Sequence, residues 1–202
     1  MNLFLCSHFS KVGVLLKDHI AGKRVAFIPT ASIHEGYTGY VGSARTLFKK
    51  LGAELIEIEI STANDSDITQ VFDAADIIYF TGGNAFFLID HLRKTGTDTL
   101  LKQQLEKGKL FIGESAGAIV CAPELSYIEK MDPIPEDYSQ SDYAGLGLIN
   151  FYVLPHYLTA PFKKVTADIM QSFSNIELCA INNAQALSVK DGVRKLVSVD
   201  KA

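Results

Sequence analysis

The sequence has few cysteines, no basic run and no long apolar stretch, and each of these absences excludes a class of protein. Three cysteines in 202 residues, none in a Cys-x-x-Cys pair, cannot build a disulfide framework and do not suggest a zinc or thiol-redox centre. A net charge of −4 without clustered Lys or Arg leaves no basic face for nucleic acid or an anionic membrane surface. No segment approaches the ~18 apolar residues that span a bilayer.

The composition is instead that of a globular protein. Hydrophobic residues make up 48% and charged residues 21% of the chain, which excludes intrinsic disorder. The length predicts one domain, covering 1–202. The apolar start of the chain is too short for a signal peptide and is typical of a first strand. We therefore expect a cytoplasmic protein, either a monomer or a homodimer.

Strand-like runs alternate with helical patterns along most of the chain. Helices are predicted at about Lys11–Ile20, Gly39–Leu51, Ala85–Arg93, Asp98–Lys107 and Phe162–Phe173. Strands are predicted at Asn2–Cys6, Arg24–Ile28, Glu54–Ile60, Asp76–Phe80, Leu110–Gly113, Phe151–Leu154, Glu177–Ile181, Gln185–Val189 and Lys195–Val199. This alternation predicts an α/β fold, a three-layer αβα sandwich with a mainly parallel sheet and a mixed edge. Ligands of such folds bind at the carboxyl ends of the strands.

One short motif predicts a nucleophile at such a strand end. Gly113-Glu114-Ser115-Ala116-Gly117 fits the pattern Gly-x-Ser-x-Gly and stands between a strand and a helical run. A tight turn there lifts the serine hydroxyl out of the sheet, and the helix N-terminus favours developing negative charge. The alternative interpretation is a serine that only caps a helix in a glycine-rich turn.

A serine nucleophile needs a base, and five histidines are available. His8, His34 and His156 all follow predicted strands. His156 is the strongest candidate because it follows Pro155 at the end of an apolar strand. The acidic group that would orient the histidine is left open by spacing, since the irregular segment 121–147 offers six carboxylates: Glu124, Glu129, Asp132, Glu136, Asp137 and Asp142.

Three motifs together resemble a known family. They are Thr81-Gly82-Gly83-Asn84, Gly113–Ala118 and Pro155-His156-Tyr157, and the resemblance extends over nearly the whole chain. The set is similar to that of the S51 serine peptidases, which include peptidase E (aspartyl dipeptidase) and cyanophycinase relatives. It implies a flavodoxin-like fold of the class I glutamine amidotransferase type, with serine in place of the elbow cysteine.

The resemblance also implies roles for individual residues. Ser115 would be the nucleophile and His156 the base. Asp132, in Met-Asp-Pro-Ile, would be the acidic member of the triad, with Glu136 as the second choice.

Further roles concern the oxyanion and the substrate. The N–H groups of Gly83 and Ala116 would form the oxyanion hole. Asn84, Glu114 and Lys163 are expected to contact substrate. Aspartyl dipeptidases of the family commonly have Trp where Glu114 stands, and this carboxylate would repel an acidic side chain or bind a free amine. Lys163 would replace the family's arginine, without the bidentate fork.

The leading hypothesis is a serine hydrolase that cleaves short peptides, dipeptides with an N-terminal aspartate among them, through an acyl-enzyme. No metal and no organic cofactor is expected, and the expected partner is a small peptide substrate. The alternative is a non-catalytic relative that binds a small ligand in the elbow pocket. An amidotransferase-like domain would need cysteine at the elbow, and an α/β-hydrolase esterase usually has a later histidine.

Overall fold

The structure, a computed structural model, describes residues 1–199. The predicted domain, 1–202, therefore ends outside the described residues. The strands are β1 Asn2–Cys6, β2 Arg24–Ile28, β3 Glu54–Glu57, β4 Ile77–Phe80, β5 Leu110–Glu114, β6 Tyr152–Leu154, β7 Leu178–Ala180, β8 Gln185–Lys190 and β9 Val193–Ser198. The helices are α1 Phe9–Val12, α2 Lys17–Ile20, α3 Gly39–Lys50, α4 Asp65–Ala74, α5 Ala85–Lys94, α6 Thr97–Glu106, α7 Ala116–Ile119 and α8 Lys163–Ser172.

Seven strands form the central sheet in the order β3-β2-β4-β5-β1-β8-β9. The five from β3 to β1 are parallel, whereas β8 and β9 add an antiparallel edge. Strands β6 and β7 pair in parallel in a separate two-stranded sheet. The predicted α/β class with a mixed edge is confirmed, and the run of strands that closes the chain is divided between the two sheets.

Alternate side chains of each parallel strand supply two hydrophobic cores, one on each face of the sheet. In β4, Ile77 and Tyr79 pack with α1, α2 and α3, while Ile78 and Phe80 pack with α4, α5, α6 and α7. All four side chains of β4 are buried because helices cover both faces. This is the three-layer αβα arrangement that the sequence predicts.

Three local differences from the predicted elements have identifiable causes. The helix expected over Lys11–Ile20 is divided into α1 and α2 by a 3-10 turn at Gly13–Leu16. Helix α4 was not predicted; it begins after Asn64, which caps it by accepting a hydrogen bond from the Asp67 N–H at 2.9 Å. Strand β3 ends at Glu57, and beyond it the Ile60 and Ser61 N–H groups donate to side chains, those of Thr30 and Glu59, and not to a neighbouring strand.

The carboxyl ends of β1, β4 and β5 lie side by side, because β1 pairs with β5 and β5 pairs with β4 in parallel register. The segments that follow these strands, from Ser7, Thr81 and Ser115 onward, therefore meet at one edge of the sheet. In the part of the chain that the structure describes, no helix has the length and apolarity needed to cross a membrane.

Candidate active site

Ser115 occupies a strained turn between β5 and α7. Its φ of 48° and ψ of −107° lie outside the regions that L-residues favour, at a cost of about 1–3 kcal/mol. The turn is this tight because glycines flank it. A Cβ on Gly113 would lie 2.4 Å from the Gly117 carbonyl oxygen, and a Cβ on Gly117 would lie 2.6 Å from the Phe80 carbonyl oxygen. The Ser115 N–H donates to the Cys6 carbonyl at 2.8 Å, which fixes the turn to β1.

His156 faces Ser115 from the end of β6. Its Nε2 lies 2.9 Å from the Ser115 Oγ. The backbone at His156 also has a positive φ, of 57°, and its N–H donates to the Ser7 Oγ at 3.0 Å. On one side the imidazole stacks on Phe162, with ring centroids 4.9 Å apart. The ring is therefore held by the backbone hydrogen bond, by stacking on Phe162 and by the contact of its Nε2 with Ser115.

Asn183 holds the other nitrogen of this imidazole. The His156 Nδ1 lies 2.7 Å from the Asn183 Oδ1. An amide oxygen can only accept, so the Nδ1 carries the proton and the Nε2 is left to accept from the Ser115 hydroxyl. The arrangement can take a proton from a serine that attacks a carbonyl carbon.

Burial lowers the pKa of His156 from its ordinary value of 6.5, although the hydrogen bond to Asn183 and the charge of Glu114 oppose the shift. At neutral pH the imidazole is therefore the neutral form that a base requires.

The expected contact between His156 and an acidic residue of segment 121–147 is not formed, which corrects the sequence-based choice of Asp132. The Asp132 Oδ2 instead accepts from the Ala85 N–H at 2.8 Å. The second choice, Glu136, is exposed and lies outside the cavity around Ser115. The physical reason is topological: β7 pairs with β6, so the segment after β7 is the one that reaches His156.

Sequence reasoning missed Asn183 because the search was limited to carboxylates. The available signal was position, since Asn182 and Asn183 directly follow a predicted strand that ends at Ile181. The Ile181 N–H donates to the Leu154 carbonyl at 3.0 Å, which places the end of β7 beside the end of β6.

The two predicted oxyanion donors are close to this serine: Ala116 follows it in the chain, and Gly83 lines the same cavity. A Cβ on Gly83 would lie 1.9 Å from the Ala31 carbonyl oxygen, so its φ of 132° and close approach require glycine. Within residues 1–199, the N–H groups of Gly83 and Ala116 donate to no backbone carbonyl. Both are therefore available to an oxyanion held near Ser115.

The three residues expected to contact substrate have different surroundings. Asn84 caps α5: its Oδ1 accepts from the Phe87 N–H and its Nδ2 donates to the Pro133 carbonyl, so its polar atoms are already used. Lys163 is the exposed first residue of α8 and does not line the cavity, so its contact with substrate stays a prediction.

Glu114 does line the cavity, but its carboxylate is almost fully buried and has protein donors on both oxygens. Its Oε1 accepts from the Phe9 N–H at 2.8 Å and pairs with the His8 Nδ1 at 3.0 Å. Its Oε2 accepts a hydrogen bond from the Tyr79 hydroxyl. Glu114 therefore contributes a fixed negative charge beneath Ser115 without a free oxygen for a ligand.

A cavity of about 500 Å³ opens above Ser115. Its wall includes both histidines of the site, three carboxylates and several aromatic or apolar side chains: Ser7, His8, Glu35, Tyr37, Tyr40, Gly82, Gly83, Glu114, Ser115, Met131, Asp132, Pro133, His156, Ala160, Pro161, Phe162 and Asn183. Among residues 1–199, no group of three His, Cys, Asp or Glu side chains is arranged to hold a metal ion.

Comparison with known proteins identifies the family. Residues 6–197 match the sequence model of Peptidase family S51. The chain belongs to peptidase family S51. The resemblance drawn from the three motifs is thereby confirmed, and with it the fold that the family implies.

Similar proteins support a peptidase activity. An uncharacterized peptidase of Listeria innocua is 39% identical over 194 residues, covering 94% of this chain and 93% of that protein. Peptidase E of a Nostoc species is 31% identical over 138 residues, covering 68% of this chain and 54% of that protein. A crystal structure described as a candidate peptidase E of Listeria monocytogenes EGD-e matches with a TM-score of 0.94 and 37% identity, over 98% of both chains.

Proposed function

We propose that this S51 member is a serine peptidase that removes the first residue of short peptides, dipeptides included, through an acyl-enzyme. The observation that carries the proposal is the continuous hydrogen-bonded series from Ser115 through His156 to Asn183, at 2.9 and 2.7 Å. The three side chains come from different segments, and the backbone N–H groups of Ser115 and His156 are themselves hydrogen-bonded. Such a convergence fits a nucleophile and base better than a helix cap.

In the proposed first step the Ser115 Oγ attacks the carbonyl carbon of the first peptide bond while the His156 Nε2 takes its proton. The N–H groups of Gly83 and Ala116 stabilise the negative oxygen of the tetrahedral intermediate. His156 then gives the proton to the departing amine. A water molecule attacks the acyl-enzyme by the same route in reverse, which releases the first residue and restores Ser115.

Asn183 would act as a neutral orienting group for the base. It fixes the tautomer of His156 as a carboxylate would, but adds no charge to stabilise the imidazolium. Burial lowers the pKa of His156, and the charge of Glu114 opposes this larger effect. The proposed enzyme thus has its base in the active form at neutral pH and loses activity only in acid.

The size of the cavity supports a short substrate. About 500 Å³ is at the lower end of small-ligand sites and holds a few residues of peptide rather than a folded chain.

The test compares Ser115→Ala with wild type on a panel of dipeptides, with product amino acids measured by mass spectrometry. Ser172→Ala is the matched control because Ser172 is exposed at the end of α8, outside the cavity wall. We expect turnover to fall at least ~10³-fold in Ser115→Ala, and to be unchanged in the control. We also expect a fluorophosphonate to label wild type at Ser115. Undiminished turnover in Ser115→Ala, or no labelling together with no turnover by wild type, contradicts the proposal; the latter result favours a ligand-binding relative.

A further inference from the structure

The cavity over Ser115 has an acidic wall. Three carboxylates line it, those of Glu35, Glu114 and Asp132, whereas no Lys or Arg side chain of residues 1–199 does. The basic groups in the wall are His8 and His156, and both already face partners at the site. A negatively charged substrate side chain would therefore meet like charge without a counter-ion, which is unfavourable in a partly enclosed space.

Of the two buried carboxylates in this wall, Glu114 and Asp132, it is Asp132 that has an oxygen without a protein donor in the described part of the chain. The residue is only 8% exposed, and its Oδ2 accepts from the Ala85 N–H at 2.8 Å. Its Oδ1 has no hydrogen bond within residues 1–199 and is not sealed from solvent. An oxygen in the cavity wall that has no protein donor is left to accept from a ligand with N–H donors.

The position of Asp132 suits the ammonium group of a first residue. In a peptide, one Cα atom separates the terminal nitrogen from the first carbonyl carbon, so the two lie about 2.5 Å apart. The carbonyl oxygen is expected at the N–H of Gly83. The Asp132 carboxylate accepts a hydrogen bond from the N–H of Ala85, two residues after Gly83. The ammonium of a bound first residue would thus lie on the Asp132 side of the reacting carbon.

The charges of the three carboxylates act together at Tyr40, a residue of the cavity wall. Its hydroxyl is buried without a hydrogen-bond partner within residues 1–199. A Cβ added to Gly82 would lie 3.4 Å from the Tyr40 ring and 3.2 Å from the Ser115 Cβ, so the two side chains border the same space. Burial raises the pKa of Tyr40, and the charges of Glu35, Glu114 and Asp132 raise it further. The phenol therefore stays protonated beside the acidic wall.

We infer that this site selects peptides with a free N-terminal ammonium and a neutral or basic first side chain, and excludes acidic first residues. In this arrangement Asp132 binds the ammonium, and Glu35 at the rim favours a cationic side chain over an anionic one. The inference rests on the proposed function for its placement of the first carbonyl at Ser115. It differs from the aspartate preference expected from the resemblance.

The test measures binding on the Ser115→Ala protein by calorimetry, so that the result does not depend on hydrolysis. The ligands are Ala-Leu, Lys-Leu, Asp-Leu and N-acetyl-Ala-Leu. Ala-Leu and Lys-Leu are expected to bind at least ~10-fold more tightly than the other two. Adding Asp132→Asn is expected to weaken Ala-Leu at least ~10-fold and to leave N-acetyl-Ala-Leu within ~2-fold, because only the former has an ammonium.

Two further variants separate a local contact from a general change in charge. Asp137→Asn makes the same chemical change on an exposed residue of the same segment, outside the cavity wall, and is expected to leave all four affinities unchanged. Glu35→Lys is expected to shift the ratio of Asp-Leu to Lys-Leu affinity at least ~5-fold toward Asp-Leu.

Several outcomes overturn the inference. Asp-Leu binding as tightly as Ala-Leu, equal binding of the acetylated peptide, or no detectable binding of any of the four would each do so. So would an Asp132→Asn effect that Asp137→Asn reproduces. These binding results are distinct from the failure of the proposed function, which is shown by undiminished turnover in Ser115→Ala or by wild type that is neither labelled nor active.

Discussion

Asp132 makes the stability of this protein depend on pH in a way that one substitution can isolate. Burial, and to a smaller extent the charge of Glu35, raise the pKa of its carboxyl from 3.8 to about 7, against the opposing hydrogen bond from the Ala85 N–H. Between these two values the native state binds a proton that the unfolded chain releases. The free energy of unfolding of wild type therefore falls as pH rises through this window.

The size of the effect follows from the two pKa values. One extra bound proton changes the free energy of unfolding by about 1.4 kcal/mol per pH unit, and the window is about three pH units wide. Asp132 therefore costs the protein about 4 kcal/mol at pH 8 relative to pH 4. Asp132→Asn keeps an oxygen that can accept from the Ala85 N–H but carries no charge, so we expect the variant to gain about 4 kcal/mol over wild type between these pH values.

The assay is urea unfolding of both proteins at several pH values from 4 to 8, followed by circular dichroism because the chain has no tryptophan. All other titrating groups are common to both proteins and cancel in the difference. Asp137→Asn, an exposed change in the same segment, should show a constant difference from wild type. A difference between Asp132→Asn and wild type that changes by less than about 1 kcal/mol from pH 4 to pH 8 would refute the reasoning.

Two other substitutions test the geometry of the site. Replacing Asn183 by Ala removes the acceptor at 2.7 Å from the His156 Nδ1, so kcat should fall about 10²-fold. Asn183→Asp should keep activity and raise the apparent pKa of the acid limb of the pH–rate profile. Identical pH–rate profiles for Asn183→Asp and wild type would contradict this role. Gly83→Ala should prevent stable folding, because its Cβ would lie 1.9 Å from the Ala31 carbonyl oxygen. Gly96 has a φ of 65° and open space around it, so Gly96→Ala should lower the free energy of unfolding by only about 1 kcal/mol. Equal melting temperatures for the two variants would show that the approach at Gly83 is not close.

The features that could be predicted from the sequence are those set by residues close together in the chain. The alternation of apolar strands with helical patterns determined the three-layer sheet, because strands that are buried on both faces must be apolar throughout. The glycines around Ser115 determined the elbow, because a turn this close admits no Cβ at Gly113 or Gly117. His156 was found in the same way, from its place at the end of a strand.

Only the tertiary structure decided which groups complete the site. The partner of His156 depends on the pairing of β6 with β7, which joins segments far apart in the chain and leaves no local pattern. The same pairing gave the orienting position to Asn183 and left Asp132 with a free oxygen in the cavity wall. Glu114, beside the nucleophile in sequence, is fully bonded because β1, β4 and β5 bring His8 and Tyr79 to it. Local sequence set the backbone geometry, whereas the long-range strand pairing assigned the charges.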